Sequence, residues 1–131
     1  MLFTKESDYA IRIVRALNNV DKLTIREICE KEELPEAFAY KIIKKLAKAG
    51  IVNIKRGAAG GYSLAKDTES MNLYDIVSSV EPDFAVMQCI NGFCSRNGNN
   101  GRCCVHKELV SIQREVEELL KRKTLSEIFG Q

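Results

Sequence analysis

Residues 89–106 read Cys-Ile-Asn-Gly-Phe-Cys-Ser-Arg-Asn-Gly-Asn-Asn-Gly-Arg-Cys-Cys-Val-His, a stretch that holds four of the five cysteines and the single histidine. Rich in Gly and Asn and lacking apolar periodicity, it can build neither a core helix nor a core strand. Something other than packing has to order it. Thiolates and an imidazole on such a loop are the donors that a zinc ion or an iron–sulfur cluster takes. The chain is therefore divided at this segment, and the stretches on either side must fold on their own apolar stripes.

The 131 residues, 45% hydrophobic and 29% charged, suit one compact domain or a small domain plus an appendage. No apolar run approaches the roughly 20 residues of a membrane helix, and the N-terminus lacks a signal-peptide pattern. The expectation is a cytoplasmic protein with no membrane partner. In a reducing compartment, five cysteines serve as ligands, sensors or core residues rather than as a disulfide framework. The net charge of +2 conceals an uneven distribution. Between residues 35 and 66 seven bases (Lys41, Lys44, Lys45, Lys48, Lys55, Arg56, Lys66) face one acid, Glu36, whereas residues 105–131 carry five of each. One basic segment in a near-neutral chain points to a polyanionic partner.

Residues 5–20 have the spacing of an amphipathic helix, with Tyr9, Ala10, Ile13, Ala16, Leu17 and Val20 on one face and Thr4 or Ser7 as its cap. Thr24-Ile25-Arg26-Glu27 is a capping box opening a short helix that buries Ile25, Ile28 and Cys29. A third helix runs from Pro35, at its first position, to Gly50, at its C-terminal cap. It is expected to bury Phe38, Ala39, Ile42, Ile43 and Leu46, and to expose Ala37, Tyr40, Lys41, Lys44 and Lys48 on one stripe. Ile51–Ile54 reads as a strand, Lys55–Gly61 as a tight loop and Tyr62-Ser63-Leu64 as the returning strand.

A short helix, a turn, a basic helix and a hairpin make a winged helix-turn-helix. An NTPase phosphate loop is excluded, because Gly60-Gly61-Tyr62 leads into a strand and lacks the Gly-Lys-Ser/Thr that such a loop needs. Beyond the hairpin, Asn72 caps a helix carrying Leu73, Ile76, Val77 and Val80, which stops at Glu81-Pro82. After the cysteine-rich segment, Val105, Leu109, Ile112, Val116 and Leu119 recur at four-three spacing, the narrow seam of a pairing helix. Residues 124–129 read as a short closing helix.

The fold class expected is mostly α with a small β-hairpin wing. Residues 1–82 would form the DNA-binding domain, 83–106 a cysteine-rich sensor loop, and 105–131 a long dimerisation helix and a closing helix. The partners are a double-stranded DNA operator and a second copy of the chain, joined through the 105–121 helix. On DNA, Lys41, Lys44, Lys55 and the backbone of Gly57 and Gly60 are candidates for phosphate. Ala37, Tyr40 and Lys41 are candidates for base edges, and Arg56 for the narrow minor groove.

Several motifs together resemble the IscR-like family of bacterial iron–sulfur transcription regulators. They are Leu2-Phe3-Thr4 with Asp8-Tyr9-Ala10, the wing Arg56–Leu64, Leu73-Tyr74-Asp75-Ile76-Val77, and the cysteine cluster followed by a long helix. The resemblance implies a homodimeric repressor or activator sensing iron–sulfur, redox or nitric oxide status. Cys89, Cys94 and Cys103 match the family's three thiolate ligands, and His106, in Cys103-Cys104-Val105-His106, matches the fourth ligand of its 2Fe–2S branch. The Cys-x4-Cys-x8-Cys spacing is less even than the family's, and Cys104 is an extra thiol. The nitric-oxide-sensing branch completes a 4Fe–4S cluster with an aspartate that Asp8 matches. The fourth ligand thus stays open among His106, which is favoured with a 2Fe–2S cluster, Asp8 and Cys104.

A cluster-free regulator using zinc or a thiol switch is the alternative, and a non-DNA-binding electron carrier is a distant third. With one His and no Ser-His-Asp set or open zinc motif, the chain is not expected to be an enzyme.

Overall fold

In a computed structural model, which describes residues 2–98 and 103–130, the first helix starts where Thr4 turns its hydroxyl onto the Ser7 amide. This helix, α1 (Lys5–Ala16), is shorter than its apolar spacing predicts. Leu17 is its cap, and Asn19 takes the left-handed conformation at φ 60°, which Asn tolerates better than most side chains. Val20 packs on the core from outside the helix. Ser7 does not cap the helix; it is fully buried and donates its hydroxyl proton to Glu81.

Thr24 and Glu27 close the predicted capping box at the start of α2 (Ile25–Glu32). Pro35 stands one position earlier than expected, as the cap of α3 (Glu36–Lys48), and Gly50 lies just past the cap residue Ala49. The buried stripe of α3 is Ala39, Ile42, Ile43 and Leu46. Phe38, expected among them, is 51% exposed. It sits about 100° round the helix from Ala39, off the stripe, and its ring meets the Tyr9 ring edge-on at 6.0 Å.

The hairpin pairs β1 (Val52–Lys55) with β2 (Gly61–Leu64), antiparallel, with Val52 opposite Leu64 and Ile54 opposite Tyr62. Ile51, expected to begin the first strand, precedes it and is buried in the core. Leu23 bridges to Tyr62 through reciprocal backbone bonds of 2.9 and 2.8 Å, so the residue entering α2 also braces the wing.

Asn72 and Asp75 form a second capping box on α4 (Leu73–Val80). The cysteine-rich segment holds one 3-10 turn, Gln88–Ile90, where no regular structure is expected; its residues 99–102 lie outside the described residues. The long helix α5 (Cys104–Lys121) starts one residue earlier than its apolar seam suggests, capped by the Cys103 sulfur. Thr124 caps α6 (Leu125–Phe129). Leu125 donates its amide proton to the Met71 carbonyl at 2.8 Å, is completely buried and belongs to the same hydrophobic core as Met71. No helix among the described residues is long and apolar enough to cross a membrane.

Candidate functional site

The antiparallel pairing turns the wing back toward α3, and a groove opens between them. Tyr40 and Lys44 of α3 line it with Lys55, Arg56, Gly57 and Gly60 of the wing. Six of the eight residues marked from sequence as DNA candidates thus share one concavity. Ala37 and Lys41 do not line it. Both are exposed on α3, but the Lys41 ammonium is turned toward α1, where it meets Glu6 at 3.0 Å. Lys45 of the next turn meets the same carboxylate at 2.6 Å, and the two lysines hold the Glu6 carboxyl below its ordinary range, Lys45 foremost.

Two glycines shape the wing loop. Gly57 has φ +105°, a conformation that side-chain-bearing residues rarely adopt. A Cβ on Gly60 would lie 2.3 Å from the Lys55 carbonyl oxygen and 2.8 Å from that of Gly57. The loop is braced from outside as well, because Lys22 donates a hydrogen bond to the Ala59 carbonyl oxygen. The Lys22 and Leu23 contacts are functional supports that sequence reasoning missed. Their only local signal is the position of these residues just before a helix cap.

The cysteine-rich segment is held at its two ends. At the entrance, Phe3 stacks on Phe84 with ring centroids 5.3 Å apart. Gln113, the one buried residue of α5, grips the same entrance. Its Oε1 accepts from the Val86 amide at 2.7 Å and its Nε2 donates to the Phe84 carbonyl at 3.1 Å and to Glu117 at 3.1 Å. At the exit, the Cys103 sulfur accepts from the His106 amide at 3.4 Å, and Asn97 accepts from the Cys103 amide at 3.2 Å. Cys89, Cys94 and Cys103 are half-buried and Cys104 is exposed, all as free thiols. Cys29 is a core residue; burial pushes its thiol up, with a smaller contribution from Glu36.

Among the described residues, no three Cys, His, Asp or Glu side chains stand close enough to share a metal ion. The chemistry of the donors nonetheless fits a cluster or zinc. His106 Nδ1 is the one buried side-chain nitrogen or oxygen, among the described residues, without a hydrogen-bond partner. Such an orphan costs about 1–3 kcal/mol unless a ligand takes it up. Asp8 differs, because its carboxylate already accepts from Arg12 Nε at 3.0 Å.

Comparison with known proteins agrees with this architecture. Residues 3–131 match the Rrf2 family, described as an iron-dependent transcriptional regulator. The chain is 30% identical over 95 residues to the helix-turn-helix transcriptional regulator NsrR of Bacillus licheniformis, covering 70% of this chain and 66% of that one. It is 24% identical to the regulator IscR of Vibrio cholerae, over 98% of this chain and 75% of that one. In structure it is similar to CymR, the global cysteine regulator of B. subtilis. The TM-score is 0.77 at 21% identity, over 98% of this chain and 95% of that one.

Proposed function

The chain belongs to the Rrf2 family of transcriptional regulators, and from that premise we propose that it binds operator DNA in the cytoplasm as a homodimer whose affinity follows the state of an iron–sulfur cluster. The observation that carries the DNA half is the groove shared by Tyr40, Lys44 and the wing, with Arg56 and Lys55 on its rim. Lys44 and Lys55 neutralise phosphates, Tyr40 reads base edges and Arg56 enters the minor groove.

The cluster is held by Cys89, Cys94, Cys103 and His106. The orphaned Nδ1 supports His106 as fourth ligand, and the Arg12 pairing of Asp8 counts against that alternative. When bound, the cluster supplies soft iron–thiolate bonds to a segment that has little packing of its own. The rest is done by the chain. Cys103 caps α5 and His106 sits on its first turn, while Gln113 clips residues 84 and 86 to the same helix. The state of the segment therefore bears directly on α5, whose exposed column of Val105, Ile112 and Leu119 pairs with the same column of a second copy. A cluster-free thiol switch is the second reading, favoured by the exposed Cys104 beside Cys103.

The test is an absorption spectrum of protein purified without oxygen, with iron and acid-labile sulfide assayed on the same sample. A coloured protein with matched iron and sulfide is expected, retained in Asp8→Ala and lost or shifted in His106→Ala. Protein that stays colourless after reconstitution overturns the cluster and leaves the thiol reading. Salt-dependent DNA binding that Arg56→Ala weakens, without change in cluster content, checks the other half.

A further inference from the structure

The basic stripe of α3 is not equally available. Lys44 looks into the groove with Tyr40, while Lys41, on the next column of the same helix, is drawn aside by Glu6 of α1. Glu6 also takes Lys45, so one carboxylate bridges two lysines four residues apart, the spacing that stacks side chains on one helix face. Glu6 is only 27% exposed, whereas Lys41 is 60% exposed. The acid is the anchored partner and the lysine the mobile one. The pair is also placed to matter, because Lys41 lies beside the groove and a carboxylate oxygen offers an ammonium the same charge-assisted bond as a backbone phosphate.

We propose that Glu6 is an internal competitor for DNA phosphate. It holds Lys41 off the groove in the free protein and releases it only to a phosphate in the correct place, so that it sets the selectivity of the groove. The inference rests on the DNA-binding reading above and deepens it. On random DNA, phosphates arrive in many registers and few can replace the Glu6 contact, so Lys41 contributes little. On a well-fitted operator the exchange is met by the docked backbone, and Glu6 keeps its second partner, Lys45. Only the operator complex has to break the Lys41–Glu6 contact, so the acid lowers specific affinity more than non-specific affinity. Specificity is the ratio of the two.

The experiment compares wild type and Glu6→Gln on a mixed-sequence duplex and on a duplex that the wild-type protein selects from a random pool, across a range of salt. Removing the competitor should tighten binding to the selected duplex about two- to fivefold, the scale of an exposed ion pair. On the mixed-sequence duplex it should steepen the salt slope by up to about 0.9, as the freed Lys41 meets one more phosphate. Binding to the mixed-sequence duplex should change less, so the ratio rises. In a Lys41→Gln background the Glu6→Gln gain should vanish, which a general loosening of α1 against α3 would not produce. Glu6→Asp keeps the charge on a shorter arm and should move the same way by less; it decides the matter if Glu6→Gln melts early.

A selected-duplex affinity left unchanged by Glu6→Gln, or a gain that survives in Lys41→Gln, overturns the proposal while the DNA-binding reading stands. Wild-type protein with no salt-dependent binding to either duplex overturns both.

Discussion

Gly60 shows how little room a single residue has. Its position is enclosed by backbone carbonyls of its own loop, so a methyl group there has to push main chain rather than a flexible side chain. Gly60→Ala is expected to open the wing and weaken mixed-sequence DNA binding by about tenfold or more, on the scale of a few kcal/mol for backbone strain. The helical core does not include Gly60, so the thermal midpoint should move by only a few degrees. Circular dichroism melting and a filter-binding titration on the same preparation check both parts. A wing that tolerates alanine would mean that the loop is not held as described. His106 is a residue-scale case of the opposite kind. Its Nδ1 is buried without a hydrogen-bond partner, a cost that the proposed cluster ligation would relieve.

At the scale of elements, α5 is unusual in that its one buried residue is polar. Gln113 satisfies its own amide and two main-chain groups of the segment leading to the cysteines, and so fixes where that segment leaves the core. Gln113→Leu keeps the volume but leaves the Val86 amide and Phe84 carbonyl unpaired, at a cost of about 1–3 kcal/mol. Limited proteolysis should then cut within residues 83–98 faster than in wild type, with the α1–α4 core resistant. Equal cutting in both proteins would show that the clip does not hold the segment.

For the whole molecule, the exposed column on α5 is an apolar feature that packing within one chain does not account for. Val105, Ile112 and Leu119 are 60%, 40% and 55% exposed at intervals of seven residues, a pattern that isolated surface residues do not keep. Ile112→Glu places a charge at the centre of that column. It should convert a dimer to a monomer in sedimentation equilibrium, with the monomer's helical content retained. The same variant should lose affinity for a selected operator far more than for mixed-sequence DNA, because two half-sites are no longer read together. A variant that still sediments as a dimer places the interface elsewhere.

The local rules were legible in the chain itself. Capping boxes at Thr24 and Asn72, the apolar stripes of the helices and the glycine-rich hairpin depend on neighbours three to twelve residues apart, and such neighbours lie close along the chain. The family likeness, carried by the opening residues, the wing, residues 73–77 and the cysteine cluster with its long helix, agreed with the Rrf2 match. What depended on distant partners could not be read. Phe38 left the core because helix rotation put it one position off the stripe, and Lys41 turned from the groove because Glu6 stands 35 residues earlier in the chain. The grip of Gln113 on residues 84 and 86 and the burial of Leu125 against Met71 are likewise long-range choices. A residue's type and period determine what it can bury or bond. Only the folded chain brings up the particular partner, because contacts between distant residues follow from how whole elements pack.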